Sequence, residues 1–436
     1  MAKENNDKEQ KKKNNKVKRY KKNSSDKSST YDIPTEYRYF QASETEEISG
    51  EDKEQAVTRD VISSKAKTAV MIMLVCLVFV IIATSWNYLA PDKLMNSIQK
   101  SLSGKVGEDF PTFISGTKIS PGNFQYTGEY LTYVSDTALI CLNKSAGMVV
   151  DRPISFSQPA IKTAGENILT YNIDGKGYQY DTMGETKIKN ELDSAIIQGD
   201  IAENGTYGFI TKSDGYLSRL VVFDSSGSQI YSYSFADYYA TSLSINSNGT
   251  KAVISTVTSA NGDFKTAIYI LDFTSEEPVA ILEENETLIY SCNFMNNGAI
   301  AAVGDTQALM IKSNYSDVER YNYGGLTLTA LSFDDSVGGV LTLSPSSDGG
   351  NCHIVYLNKN GSVQKIADTE YKVNSVDLYG NKIAALCDGG KAVFFDSAGQ
   401  EAGSADAGLD GQSIAMYSES SAYILGVTEI REISMN

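Results

Sequence analysis

The sequence predicts an all-β fold for the body of the chain, residues 111–436, and three observations predict it. Short runs of alternating apolar and polar residues, such as LTYVSD, AIYILDF, HIVYLNK and KAVFFDS, are bounded by Gly, Ser, Asn and Asp, the pattern of strands joined by hairpins. No stretch of helical periodicity separates these runs, which disfavours alternating strands and helices. An acidic turn also recurs between apolar strands at an interval close to forty residues, the spacing of a four-stranded repeat.

The acidic turns fall at Asp136, Asp174, Asp214, Asp263, Asp305, Asp348 and Asp388, with Glu429 in the last place, and the successive gaps are 38, 40, 49, 42, 43, 40 and 41 residues. A second marker closes the following strand: an apolar residue, then Asp or Asn, often with Gly shortly after. It reads LNKSAG at Asn143, YDTMG at Asp181, FDSSG at Asp224, LDF at Asp272, LNKNG at Asn358 and FDSAG at Asp396, with a degenerate form near Asn314. Two independent markers with one period define an eight-bladed β-propeller, with seven blades and ragged ends as the alternative. The last repeat supplies only three strands, and the stretch PTFISGTKIS at 111–120 is a strand without a hairpin partner. Placing that stretch as the fourth strand of the last blade joins the two ends and removes an exposed sheet edge.

The units DGGKAVFFDSAGQEA (388–402), DGKGYQYDTMGETK (174–187) and SDGYLSRLVVFDSSGSQI (213–230) resemble the PQQ-like repeat and, more loosely, WD40-like propeller repeats. The resemblance implies the propeller of quinoprotein dehydrogenases and of an outer-membrane assembly lipoprotein. The layout as a whole resembles single-span membrane propeller proteins of Gram-positive, Clostridia-type bacteria. The Trp that ends each PQQ-like repeat is missing, and no adjacent-cysteine pair exists to hold the quinone, so neither PQQ nor any other cofactor is expected.

Four segments are expected in all: a disordered cytosolic tail at 1–66, a transmembrane helix at 67–89, a juxtamembrane linker at 90–110 and the propeller at 111–436. From Ala69 to Thr84 the chain reads AVMIMLVCLVFVIIAT, without charge, Pro or Gly. Extended to Tyr88 this gives about 20 residues, enough for a helix to cross a hydrocarbon core about 30 Å thick. Arg59, Lys65 and Lys67 precede it, while Trp86 and Tyr88 close it, an arrangement that places the N-terminus in the cytosol and the propeller outside. The tail is rich in Lys, Asn, Ser and Glu and poor in branched apolar residues, too little to offset the entropy of ordering. Its basic run Lys11–Lys22 is a candidate contact for anionic lipid or protein. The aromatic stretch YDIPTEYRYF at 31–40 is a candidate docking motif.

Residues 1–67 hold 16 basic and 13 acidic residues, leaving 22 basic (38 − 16) and 41 acidic (54 − 13) in the remainder. An acidic body disfavours nucleic acid as a partner of the propeller, since phosphates need Lys and Arg. His353 is the only histidine, which excludes His-rich metal sites; beside Cys352 at the start of a strand it reads as a packed or exposed side chain rather than the base of a Ser–His–Asp triad, and no catalytic or metal site is expected. The neighbours Asp334 and Asp335 point apart on a strand or turn and read as a hairpin, not as an acid–base pair. Cys141, Cys292, Cys352 and Cys387 fall in separate repeats and read as small buried apolar side chains, with a Cys352–Cys387 bridge left open. The aromatic run YSYSFADYYA, with Tyr231, Tyr233, Phe235, Tyr238 and Tyr239, reads either as blade-edge packing or as a stacking surface for sugar rings.

The most informative group is the set of acidic turns. All hairpins between second and third strands emerge on one face of a propeller, so the eight carboxylates should ring that face around the channel. Each also has an ordinary role in a tight turn, where Asp bonds its own backbone and Gly accepts positive φ. Together they create a negative potential that attracts cations or basic proteins. The expected function is a membrane-tethered extracytoplasmic binding or scaffolding propeller that recognises a protein or cell-envelope component, and not an enzyme. The alternatives are a glycan- or peptide-acting enzyme using carboxylates at the channel mouth, and a ligand sensor signalling to the cytosolic tail.

Overall fold

The computed structural model describes residues 109–436, apart from residues 261, 262, 286 and 347. The tail at 1–66, the apolar segment at 67–89 with Cys76 and Trp86, and nearly all of the linker lie outside the described residues. Among the described residues no helix is long and apolar enough to cross a membrane.

The strands form eight separate four-stranded antiparallel sheets, and seven of them are simple meanders in sequence order. Blade 1 spans 119–153, blade 2 159–191, blade 3 196–235, blade 4 239–284, blade 5 289–322, blade 6 327–369 and blade 7 373–406. Blade 8 takes three strands from 413–434 and its fourth from Thr112–Phe113. Thr112 pairs with Ile430 and Phe113 with Glu429, so the start of the propeller closes the sheet made by its end. The expected closure is therefore present, and the seven-bladed alternative is excluded.

The first strand of each blade is innermost: Ile119–Thr127 packs against Pro159–Ala164 and Ser413–Ser418, and Val373–Tyr379 packs against Thr327–Asp334 and Ser413–Ser418. The second and third strands are sandwiched between neighbours, and Ile300–Gly304 and Gln307–Ile311 are buried along their whole length. Fourth strands face solvent, as in Thr186–Glu191, whose side chains are mostly exposed.

Among the described residues there is no single central core. The apolar side chains form eight clusters, each spanning one pair of adjacent blades. Leu139 and Val134 of blade 1 meet Ile161 and Ile168 of blade 2, for example, while Ala415 and Tyr423 of blade 8 meet Phe124 and Leu131 of blade 1. A twisted four-stranded sheet with two apolar faces needs a neighbour on each side, and only a ring gives every blade both.

The second sequence marker is a side-chain-closed turn between third and fourth strands. Asp396 Oδ1 accepts from Ala398 N at 3.0 Å and Gln400 N at 2.9 Å. Asn143 and Asp224 close their turns the same way, through Gly147 N at 2.8 Å and Ser228 N at 3.0 Å. The Gly of the marker is required at 399, where φ is +82° and a Cβ would lie 1.8 Å from the Ile366 carbonyl oxygen of the preceding blade. Asp181 departs from the pattern: its carboxylate is buried and accepts from Arg152 Nη1 at 2.7 Å and Thr186 Oγ1 at 2.6 Å. The pair ties blade 1 to blade 2.

Two expectations about side chains are now decided. Cys352 and Cys387 are free and buried, as are Cys141 and Cys292, so the bridge left open is not formed. The aromatic run is chiefly packing: Tyr231 meets Phe273 at 5.3 Å and Phe235 meets Tyr269 at 5.3 Å across blades 3 and 4, while Tyr239 alone points well into solvent.

Closure supports a direct test. Phe110 packs its ring 4.7 Å from Tyr423, whereas Phe113 is 81% exposed. Phe110→Ala is expected to lower the stability of the full chain by about 2–3 kcal/mol, and Phe113→Ala to change it by less than about 0.5 kcal/mol. Denaturant titration measures both, and equal effects would refute the closure.

Candidate functional site

Each sheet is a meander, so hairpins between second and third strands leave by the face at which the next blade begins. The main chain shows this directly: Asp388 N donates to Lys372 O at 2.9 Å, and Ile196 N of blade 3 donates to Gly175 O of blade 2 at 2.7 Å. We call this the turn face. All eight acidic residues singled out in the sequence lie on it, one per blade. They sit at mid-radius, between inner and outer strands, and ring the face rather than the channel mouth.

Their local roles differ. Asp136 accepts from Thr117 N at 2.8 Å and Thr117 Oγ1 at 2.7 Å, bonds that hold its carboxyl below the usual carboxylate range. Asp174, at φ 58°, pairs with Lys212 Nζ at 2.9 Å. Asp214 is exposed in its hairpin, and Asp263 opens the third strand of blade 4. Asp305 accepts from Leu288 N at 2.8 Å and Thr287 Oγ1 at 3.1 Å. Asp348 is bonded by Ser346 Oγ, and by Gly350 N at 3.2 Å, and is likewise held low by the Ser346 bond. Asp388 opens the one-turn 3-10 helix Asp388–Gly390 and is exposed. Glu429 accepts from Arg431 Nε at 2.9 Å, and Arg431 also pairs with Asp410. These residues thus share a face, and among the described residues no three acidic, Cys or His side chains come together as metal ligands.

Outside the ring, His353 Nδ1 pairs with Asp368 on the adjacent strand. Asp334 accepts from Ser336 N at 2.8 Å and closes a hairpin, as the sequence implied.

The turn face also gathers exposed apolar side chains. Tyr216 and Val427 lie in its hairpins, Phe264 beside one, and Leu409, at 88% exposure, in the connector from blade 7 to blade 8. Of the exposed large apolar residues described, Tyr379 lies on the opposite face, and Ile230, Val279 and Ile281 lie on or beside outer strands. A cavity of about 250 Å³ opens where blades 8 and 1 meet, lined by Ile114, Ile119, Leu425 and Val427.

Sequence reasoning missed a set of polar residues on the inner strands. On these strands, residues two apart bond the main chain of the next blade's inner strand. Asp200 Oδ2 accepts from Ile245 N at 2.6 Å and Gln198 Oε1 from Leu243 N at 3.1 Å. Ser242 Oγ accepts from Cys292 N at 3.0 Å, Ser244 Oγ from Phe294 N at 3.1 Å, and Asp377 Oδ2 from Met416 N at 2.7 Å. The signal was a polar-x-polar triplet near the head of these repeats: QGD at 198–200, SLS at 242–244 and SVD at 375–377. Burial raises the carboxyls of Asp200 and Asp377, the first opposed by Lys162 and the second by the Ser332 hydroxyl and backbone donors; Asp377 reaches about 6.

Among solved structures the chain is similar to propellers. The computationally designed Ika8 protein is 12% identical with a TM-score of 0.55, covering 74% of this chain and 98% of that one. Sqt1 of Saccharomyces cerevisiae is 11% identical at TM-score 0.52, over 74% of this chain and 98% of that one. The C-terminal WD40 domain of Sif2 is 13% identical at TM-score 0.51, over 75% and 99%. At these identities the likeness shows the fold alone. No curated protein matches the chain. The protein is therefore an eight-bladed β-propeller of WD40-like architecture, closed by its own leading strand. It belongs to the family of unknown function DUF5711, whose model matches residues 113–435.

The inner-strand bridge at Asp377 makes a signed prediction. Below the usual carboxyl value of 3.8 this group is protonated in both folded and unfolded chains, and above about 6 it is ionised in both, so the folded state then bears the full cost of the buried charge. Stability from this site falls as pH rises between those limits. Asp377→Asn keeps an acceptor for Met416 N and is expected to gain about 2–3 kcal/mol over wild type between about pH 4 and about pH 7. Parallel pH profiles in denaturant titrations would count against it.

Proposed function

We propose that the propeller is a binding or scaffolding module held outside a membrane by the apolar segment 67–89, and that its turn face receives a basic protein or cell-envelope partner. The supporting observation is the coincidence on one face of eight acidic turn residues with Tyr216, Phe264, Leu409 and Val427 exposed among them. Tyr216 and Phe264 stand on the neighbouring blades 3 and 4, and Leu409 and Val427 beside blade 8, as apolar anchors between charged turns, and the carboxylates select a cationic surface over an anionic one. The likeness of the repeats to the PQQ-like unit agrees with an envelope role, and the run Lys11–Lys22 supplies a second, cytosolic contact for anionic lipid.

Crosslinking in intact envelopes, followed by capture of the full chain, tests the face. The triple variant Asp214→Asn, Asp348→Asn, Asp388→Asn is expected to lose most of the captured partner, and undiminished capture refutes the reading. The orientation is tested by a membrane-impermeant thiol reagent on intact cells. A cysteine placed at Leu409 should be labelled and one placed at Lys11 should not; the reverse pattern would overturn the tether.

A further inference from the structure

Blade 5 carries on its turn face a buried polar atom that the fold leaves without a partner. Tyr323 follows the outer strand Val318–Asn322, fixed by its N–H to Thr306 O at 2.9 Å and by Leu326 N to its carbonyl at 3.2 Å. The residue is 2% exposed in the apolar cluster between blades 5 and 6, yet its hydroxyl has no hydrogen-bond partner among the described residues. Buried hydroxyls are rarely left in that state, because the lost water bond is not replaced.

Burial, and after it Tyr290, Asp305 and Tyr321 among the described residues, push the Tyr323 hydroxyl up. Tyr290 occupies the register break between Ile289 and Ser291 on the inner strand, where a bulge turns it out to 39% exposure. Asp305 Oδ1 accepts from Leu288 N, two residues ahead of Tyr290, and Thr306, next to Asp305, accepts from Tyr323 N, so main-chain bonds bring the three residues together on the turn face. Among the described residues, both hydrogen bonds to Asp305 fall on Oδ1, which leaves Oδ2 for an incoming donor. Arg320 of the same blade does not neutralise it, being held by Glu284 through Nε at 3.1 Å.

We propose that Asp305, Tyr290 and the Tyr323 hydroxyl form a receptor for a protonated primary amine, the lysine side chain of a partner protein. Asp305 Oδ2 takes the charge, the Tyr323 oxygen accepts one N–H, and the Tyr290 ring covers the cation. A compact ammonium suits one carboxylate oxygen and one hydroxyl better than the planar fork of a guanidinium. The inference rests on the turn face being the docking face, and it names the chemistry recognised there.

The test is the binding of a fluorescein-labelled octalysine peptide to the full chain at physiological salt, followed by anisotropy, with the fully acetylated peptide as the neutral control. Tyr323→Phe removes one oxygen and no charge, so a loss cannot come from general electrostatics. It is expected to weaken binding about tenfold, Tyr290→Leu by a similar factor and Asp305→Asn by more, while the acetylated peptide does not bind. If Tyr323→Phe and Tyr290→Leu bind as wild type while the triple Asp214, Asp348, Asp388 variant is weakened, this receptor is wrong and the docking face stands. If wild type does not bind the peptide, or neither set of variants matters, both readings fall. The melting temperature of Tyr323→Phe should equal or exceed that of wild type, since the oxygen has no partner to lose. A drop of several degrees would mean that the fold itself satisfies the hydroxyl, which also overturns the proposal.

Discussion

Everything in this molecule depends on adjacent blades bonding to one another at the axis. Apolar slabs between blades supply the driving force, but such contacts are non-directional and would tolerate sliding of one sheet on the next. The bonds from Gln198, Asp200, Ser242, Ser244 and Asp377 to main-chain N–H groups of the following blade are directional, and each fixes the height of one inner strand against its neighbour. Height along the axis is what brings all the second-to-third-strand hairpins out at a common level. The turn face is therefore a product of the inner wall.

That dependence explains why carboxylates are tolerated there. A serine offers one acceptor, whereas the Asp377 carboxylate reaches the Ser332 hydroxyl on one side and Met416 N on the other, spanning three blades with one side chain. The desolvation that raises its titration is the cost of that reach, and Lys162 moderates the same cost at Asp200.

The repeat length, the hairpin positions of all eight acidic residues and the strand that closes blade 8 were legible because each depends on local turn chemistry or on counting. The Asx turns at Asn143, Asp224 and Asp396 require Asp or Asn in sequence, and they announce themselves. The inner-wall bonds were less visible, since Ser or Gln on a strand looks like any solvent-facing residue until a neighbouring blade is placed beside it. The Tyr290–Asp305–Tyr323 grouping could not be read at all. It joins a bulge, a hairpin and a connector that lie up to 33 residues apart (323 − 290), and nothing in the spacing marks the orphaned hydroxyl.

The closing strand has a mechanical consequence. Any pull on the chain ahead of residue 109 enters the ring through Thr112 and Phe113, two residues of ladder, reinforced by Ile114 N on Thr428 O at 3.0 Å and by the Phe110 ring on Tyr423. The other blades are stitched along five or more residues on most of their strands and carry none of that load directly. Tension would therefore unzip blade 8 from its rim while seven blades kept their shape, making the clasp of the ring its mechanical fuse.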